Sequence, residues 1–110
     1  MKIFEYTEYI CKLGENKHDN WNLLDIAYDK DYFFHLKSFP SSYVILHIYN
    51  DFLLTNEMLL NAATICKNST KYRFLNDIKI DYCLCNNVSK GDNIGEAIFK
   101  SNRKVKQIKI

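Results

Sequence analysis

The chain has 110 residues, of which 47% are hydrophobic and 25% are charged, a composition typical of one globular domain spanning residues 1–110 and unlike that of disordered chains. One proline and three glycines exclude collagen-like and proline-rich proteins, and no apolar run approaches the ~20 residues that a membrane span needs. The net charge of +2 is unevenly spread, since residues 1–55 hold 5 basic and 8 acidic side chains whereas residues 56–110 hold 10 and 5.

The first part of the chain predicts β-structure followed by a short helix. Residues 2–13 are rich in Ile, Phe, Tyr and Thr and alternate loosely, which indicates one bent strand or a tight hairpin that ends at Gly14. Residues 16–27 place Trp21 and later apolar residues at helical spacing behind Asn16, a residue type that caps helices. We therefore expect a short helix in this segment.

The middle of the chain predicts a β-hairpin and the clearest helix. Tyr32–Lys37 and Tyr43–Ile48 are runs of aromatic and β-branched residues, joined by a five-residue connection that contains Pro40. Thr55–Lys67 begins with a capping residue and then shows apolar residues at helical spacing. These patterns predict two antiparallel strands followed by a helix.

The last part of the chain predicts three strands. Residues 77–88 alternate cleanly between apolar and polar positions, as a half-buried strand does. After a turn at residues 89–92, Ile94–Phe99 and Lys104–Ile110 fit two further strands. The whole inventory predicts an α+β single domain with a largely antiparallel sheet of about six strands, one clear helix and one short helix.

The predicted hairpin places aromatic and basic side chains on one face. If its turn centres near Pro40, Phe33 lies opposite His47. The residues that would then share a face are Phe33, His35, Lys37, Tyr43 and His47. Aromatic rings interleaved with hydrogen-bonding groups on a sheet form a stacking surface for unpaired bases. The alternative is that Phe33 and Tyr43 belong to the core and that His35 is a buried histidine bonded to the backbone.

Catalytic and metal chemistry has little support in the sequence. Asp29 and Asp31 precede a strand, where acids usually cap turns, and two hairpin histidines lack an evident third metal ligand. No phosphate-binding glycine loop or hydrolase motif is present. We therefore predict that the protein is not an enzyme and holds neither a cofactor nor a metal ion.

The cysteines and the N-terminus indicate a reducing compartment. The N-terminus lacks the apolar segment of a secretory signal, which predicts an intracellular, cytoplasmic protein with no membrane partner. The spacing of the four cysteines fits no zinc or thioredoxin motif, so we expect reduced thiols packed as small apolar side chains. They are Cys11, Cys66, Cys83 and Cys85.

Five segments in order along the chain resemble the NFACT-R domain family. They are Gly14–Asn20, Asp31–His35, Pro40–Leu46, Ala62–Ser69 and Asn87–Phe99. In that family an Asp-x-Trp-x-His run precedes a Pro-Ser/Gly-Ser-His-Val run, and an Ala-Ala helix follows. Here Phe33 replaces the tryptophan and Tyr43 replaces the second histidine, so stacking is retained, whereas chemistry that needs two imidazoles is lost. The agreement extends from about residue 10 to the C-terminus.

The resemblance implies a nucleic-acid-binding module, chiefly for RNA. Members of the family occur in proteins that hold tRNA on the large ribosomal subunit during ribosome-associated quality control, and also as free-standing domains. One eukaryotic member with a coiled-coil tail is reported as a DNA sensor. We therefore expect RNA, either tRNA or the ribosome, as the partner, with DNA as an alternative.

The residues expected to contact nucleic acid fall into two groups. Bases or sugars would be contacted by Phe33, His35, Lys37 and Tyr43. Phosphates would be contacted by Lys67, Lys71, Arg73, Lys90, Arg103 and Lys104. The second hypothesis is a protein-interaction module that docks on a ribosome or an NFACT-like partner through a strand edge such as Lys104–Ile110. The third is an enzyme acting on tRNA, for which Cys83 or Cys85 is the candidate thiol.

Overall fold

A computed structural model describes residues 1–110 and confirms the predicted α+β fold. Six strands form the main sheet in the order β1-β2-β4-β3-β5-β8, and every neighbouring pair is antiparallel. The bounds of these strands are β1 Lys2–Glu5, β2 Tyr9–Leu13, β3 Tyr32–Leu36, β4 Val44–Ile48, β5 Lys79–Leu84 and β8 Lys106–Lys109. A second, two-stranded sheet consists of β6 (Val88–Lys90) and β7 (Ala97–Phe99).

Helix α2 (Asn56–Asn68) covers one face of the main sheet. Thr55 begins it as the sequence predicts, because its Oγ1 accepts the backbone N–H of Met58 at 3.2 Å. Met58, Ala62, Ala63 and Cys66 face the sheet and are fully buried. The two small alanines allow the helix to lie close to strands β3 and β4, which produces the larger of two cores.

Helix α1 (Lys17–Ile26) and the small sheet cover the opposite face. The Asn16 side chain caps α1 by accepting the backbone N–H of Asp19 at 2.9 Å, which confirms the predicted N-cap. Leu23 of α1 packs in a smaller core with Tyr43, which precedes β4, and with buried residues of β3, β4, β5 and β6. The tip of the small sheet comes close to α1, since a Cβ on Gly95 (φ +87°) would lie 2.6 Å from Lys17 Cβ.

The observed elements differ from the predicted ones mainly in their boundaries. Residues 2–13 form a hairpin, β1 and β2, which is one of the two predicted alternatives. The strand predicted over residues 77–88 ends earlier, at Leu84, because a short 3₁₀ turn at Cys85–Asn87 follows it. Strand β6 occupies part of the predicted turn, and a second 3₁₀ turn, Asn102–Lys104, precedes the last strand. The main sheet has six strands, as predicted, while the predicted strand Ile94–Phe99 contains β7, which pairs with β6 in the separate small sheet.

The two ends of the main sheet differ in the segments that they hold. We call one end the turn end; it contains the β3–β4 connection, the N-terminus of α1 and residues 69–74 after α2. We call the other end the acid end; it contains residues 28–31, the β4–α2 connection and the N-terminus of α2. Neither helix has the length and apolarity that crossing a bilayer requires.

Candidate nucleic-acid interface

The predicted stacking surface on the hairpin is buried. Phe33 is 1% exposed and Tyr43 is 3% exposed, because α1 and the β6–β7 sheet lie over that face of the main sheet. The Phe33 ring meets Tyr43 and Phe99 edge-on, with ring centroids 4.8 and 5.9 Å away. The Tyr43 hydroxyl donates a hydrogen bond to the carbonyl oxygen of Gly95. In this structure the two rings are therefore core residues, as in the alternative interpretation, and no base can stack on them without displacing the cover.

The pairing of β3 with β4 also differs from the prediction. Phe33 lies opposite Ile45 and not opposite His47, a shift of two residues that leaves each side chain on its predicted face. The shift places His47 beside the buried carboxylate of Asp31, with 2.7 Å between His47 Nδ1 and Asp31 Oδ1. Asp31 also accepts the backbone N–H of Tyr28, so it caps a turn as the sequence suggests for acids at this position.

His35 lies at the edge of the same buried face. It is half-buried and lines a cavity of about 250 Å³ together with Phe33, Tyr43, Gly95, Glu96, Ala97 and Phe99. Burial lowers the pKa of His35 below its ordinary value. The carboxylate of Asp81, the residue opposite His35 on strand β5, raises this pKa but by less. His35 therefore favours the neutral form more strongly than a free imidazole does.

The basic residues predicted to contact phosphate divide between the two ends of the molecule. Lys67, Lys71 and Arg73 lie at the turn end, as does the exposed Lys37. Arg103 and Lys104 lie in the 3₁₀ turn after β7, which hydrogen bonds bring next to Asn87 and away from that end. The sequence leaves open whether these residues share one surface, and the structure separates Arg103 and Lys104 from the others.

Lys90 is also separate from this surface. Its Nζ lies 2.6 Å from an oxygen of Asp25 and 5.1 Å from the centroid of the Trp21 ring. These contacts hold β6 against α1, so the Lys90 ammonium is engaged within the fold. Lys67 similarly donates to the carbonyl oxygen of Ile110 at 3.1 Å. Lys37, Lys71 and Arg73 form no ion pair.

A polar groove of about 570 Å³ lies at the turn end between α1, the β3–β4 connection and the segment after α2. The residues that line it are Asn16, Lys17, Asn20, Pro40, Ser41, Ser42, Ser69, Thr70, Lys71 and Tyr72. No carboxylate is among them, and the ammonium groups of Lys17 and Lys71 have no acidic partner. The charged groups of the lining are therefore all cationic, which favours an anionic ligand.

Hydrogen bonds fix the walls of the groove. The Ser41 hydroxyl accepts the backbone N–H of Leu36, and the Thr70 hydroxyl donates to the carbonyl of Lys67. Asn20 Oδ1 accepts the backbone N–H of Tyr43, which leaves the amide nitrogen of Asn20 without a partner in the protein. The walls are thus held by contacts with the backbone, while the side-chain nitrogens of Lys17, Lys71 and Asn20 are among the donors that remain for a ligand.

Aromatic rings and cations alternate in the segment that forms one wall of the groove at Lys71 and Tyr72 and continues beyond it. Lys71, Tyr72, Arg73 and Phe74 are consecutive, and the Phe74 side chain is 83% exposed. The Arg73 guanidinium lies 4.7 Å from the Phe74 ring centroid, and the Tyr72 ring lies 4.3 Å from that of Phe39. We call Phe39, Lys71, Tyr72, Arg73 and Phe74 the aromatic rim.

The sequence-based prediction includes the two cations of the aromatic rim and misses its three rings. A signal for two of these rings is present, because Tyr72 and Phe74 alternate with Lys71 and Arg73 soon after the end of α2. This order is typical of basic segments with interleaved aromatic residues that bind nucleic acid. Phe39 could not be found in this way, because only the tertiary structure brings it beside Tyr72.

The cysteines have the surroundings of packed thiols. Burial raises the pKa of Cys11 and of Cys66 to about 12. Burial also raises the pKa of Cys83 and of Cys85, the two residues considered as nucleophiles, and Asp31 adds to the effect on Cys85. A thiolate is disfavoured at all four positions, so the environment does not activate any of them.

Comparisons with known proteins support the fold. No family model matches this sequence, and no curated protein matches it. The solved structure of the C-terminal part of the fibronectin/fibrinogen-binding protein from Streptococcus suis is similar, with a TM-score of 0.80 over 100% of this chain. The two sequences are 20% identical, and this chain spans 47% of the length of the solved one. At this identity the similarity shows that the two chains share a fold.

Proposed function

We propose that this protein is an RNA-binding module that holds unpaired RNA at the turn end. The observation that supports this best is the aromatic rim, which borders a polar groove free of carboxylates. A charged backbone and a stackable base are the two features that distinguish single-stranded nucleic acid from other anions. The cations of the groove suit the charged backbone, and the rings of the aromatic rim suit a stackable base.

In this proposal the groove binds the phosphate backbone and the rim binds bases. Lys17 and Lys71 neutralise phosphates in the groove, and the Asn20 amide donates to a phosphate or ribose oxygen. Phe74 is the ring on which a base stacks, because most of its surface is exposed and Arg73 supports one side of it. In this proposal Phe33 and Tyr43 do not contact RNA. They are buried core residues that stabilise the fold on which the groove is built.

The biological context of the proposal rests on the resemblance to the NFACT-R family. That resemblance favours tRNA or ribosomal RNA as the ligand and ribosome-associated quality control as the process. Single-stranded DNA is the alternative ligand, since stacking and phosphate contacts do not require a 2′-hydroxyl. Affinity for RNA over DNA of the same sequence would therefore indicate additional contacts with the ribose.

A protein-interaction module is the second candidate function. Strand β8 forms one edge of the main sheet, so its outer backbone groups could pair with an extended partner strand. The similar solved structure also belongs to a protein named for binding fibronectin and fibrinogen. Lys106 and Lys109 lie on this edge, and lysines at a sheet edge usually oppose strand addition, which makes this the weaker candidate.

Fluorescence anisotropy at several salt concentrations distinguishes the two candidates. If about 3 phosphates are neutralised, the logarithm of the affinity for single-stranded RNA should fall with the logarithm of the salt concentration with a slope of about −2. Labelled tRNA, single-stranded RNA, single-stranded DNA and duplex DNA should be compared. Binding of tRNA or single-stranded RNA with this slope, and weaker binding of the duplex, is the expected result. Absence of binding to all four nucleic acids at low salt would exclude autonomous nucleic-acid binding.

A further inference from the structure

A second groove lies at the acid end of the main sheet, far from the turn end. It encloses about 790 Å³ between residues 28–32, strand β4 and the β4–α2 connection. Asn50 and Asp51 both have positive φ, of 51° and 57°, and the turn that they form leads directly into Phe52 and Leu53. The groove therefore has one wall from the loop before β3 and another from the loop after β4.

The mouth of this groove is unusually apolar for exposed loops. The Leu53 side chain is 85% exposed and the Tyr28 side chain is 67% exposed, and both line the groove. Phe52 and Leu84 line it as well and are also exposed. Apolar side chains that are exposed together around one depression, and not singly, are typical of a binding surface.

The polar groups of the groove are mainly negative. Asp29 and Asp51 are exposed carboxylates without an ion pair, whereas Lys30 is the only lysine in the lining. The Asp31 carboxylate holds His47 through Nδ1 at 2.7 Å, so Nε2 is the ring nitrogen left for a ligand. Glu8 and Glu57 lie at the same end of the sheet outside the groove, as do the cations Arg103 and Lys104.

We propose that this acid-end groove binds a protein segment that presents a lysine or arginine next to an aliphatic or aromatic residue. The apolar side chain of the segment packs on Leu53 and Phe52, while its cation faces Asp29 and Asp51. The carboxylates of the lining would face the phosphates of a nucleic acid, which makes RNA an unsuitable occupant of this groove. This inference does not depend on the proposed RNA binding, because the two grooves share no residue.

Titration with designed peptides tests the proposal. The probe is a short fluorescein-labelled peptide that repeats Arg-Leu-Gly, and the matched peptides replace its arginines with glutamate or its leucines with serine. We expect the Arg-Leu peptide to bind at least about tenfold more tightly than either matched peptide, since each loses one of the two kinds of contact. Equal binding of the glutamate peptide would overturn the proposal, as would no binding of any peptide.

Variants of the protein locate the binding. Leu53→Ser should weaken binding of the Arg-Leu peptide about tenfold, and Asp51→Asn about threefold with a smaller dependence on salt. The control is Leu60→Ser, which removes an equally apolar exposed side chain on α2 outside the groove and should leave the affinity unchanged. Equal effects of the Leu53 and Leu60 substitutions would contradict the assignment of the groove.

Two other occupants of the groove are separated by further measurements on the same samples. Sedimentation of the wild type and of Leu53→Ser shows whether copies of the chain associate through this groove. A dimer that Leu53→Ser dissociates would replace the peptide proposal with self-association. A loss of single-stranded RNA binding in Leu53→Ser that is absent in Leu60→Ser would assign the groove to nucleic acid and would also overturn the proposal.

Discussion

Phe74 is the side chain on which the proposed stacking of bases depends most. An aromatic ring with most of its surface in water adds little to the stability of the fold, but the ring face opposite Arg73 is open to a flat ligand. Arg73 lies against the ring and limits the orientations that the ring can adopt. The pair therefore combines a stacking surface with a charge that suits the adjacent phosphate.

Replacement of Phe74 by alanine should weaken binding of single-stranded RNA by roughly 1–3 kcal/mol, the contribution of one stacked base. The free energy of unfolding should not change, because the ring is 83% exposed. Fluorescence anisotropy and urea unfolding measure the two quantities. The control is Leu75→Ala, which removes the neighbouring exposed side chain. An equal loss of affinity in both variants would show that stacking on Phe74 is not the cause.

His35 should make the stability of the protein depend on pH. Because burial lowers the pKa of its imidazole, the unfolded chain binds a proton at His35 more readily than the folded protein does. This contribution to stability is complete above the ordinary imidazole pKa of about 6.5 and is lost as the pH falls below that value toward the folded pKa.

Substitution of His35 by glutamine should therefore reduce the loss of stability on acidification. Urea midpoints at roughly pH 7.5 and pH 5 give the comparison, and the difference between the two pH values should be smaller in the variant than in the wild type. The control is His18→Gln, which removes an exposed imidazole at the start of α1. An identical pH dependence of the wild type and His35→Gln would contradict the lowered pKa.

Among the secondary-structure elements, the small β6–β7 sheet determines which surface is available for binding. It closes over Phe33 and Tyr43, and the hydrogen bond from Tyr43 to Gly95 joins its tip to the main sheet. The elements that the sequence predicts well are those with strong local signals, such as α2 with its Thr55 cap and apolar stripe. Strand β6 has three residues and lies in a Ser-Lys-Gly stretch typical of turns, so local patterns could not reveal that it covers the hairpin.

The register of the hairpin shows the same limit of local patterns. Alternation along β3 and β4 determines which side chains share a face, and that part of the prediction is correct. Which residues of β3 and β4 lie opposite each other depends on the length of the connection between the strands. The last paired residues are Phe34 and Val44, so the connection is longer than that of a tight hairpin turn. Ser38 has a φ of 68° in this connection, a conformation that the residue type alone does not indicate.

Removal of the Tyr43 hydroxyl should destabilise the protein without affecting RNA binding. Tyr43→Phe leaves the Gly95 carbonyl without its partner, at a cost of about 1 kcal/mol in the free energy of unfolding. Urea unfolding measures this cost, and Tyr28→Phe, at an exposed tyrosine, is the control. A large loss of RNA affinity in a folded Tyr43→Phe protein would instead favour the stacking role that the sequence first suggested.

At the scale of the whole molecule, the grooves at the two ends of the main sheet differ in charge: one is lined by Lys17 and Lys71 without a carboxylate, and the other by three aspartates and one lysine. The sequence reveals a difference in charge between the two halves of the chain, but this difference does not correspond to the two ends. Lys17 from the acidic half and Lys71 from the basic half meet in one groove, whereas Arg103 and Lys104 lie at the other end. Only the tertiary fold determines which charges act together.

Charge reversal in two matched pairs tests most directly whether RNA binds at the turn end. Lys71→Glu with Arg73→Glu changes the net charge of the protein by the same amount as Arg103→Glu with Lys104→Glu, and all four side chains are exposed. Anisotropy with labelled single-stranded RNA at one low salt concentration compares the two double variants with the wild type. We predict that the first variant loses binding and that the second retains it within a few-fold. Equal losses in both variants would show that RNA responds only to net charge, and would contradict a specific interface at the turn end.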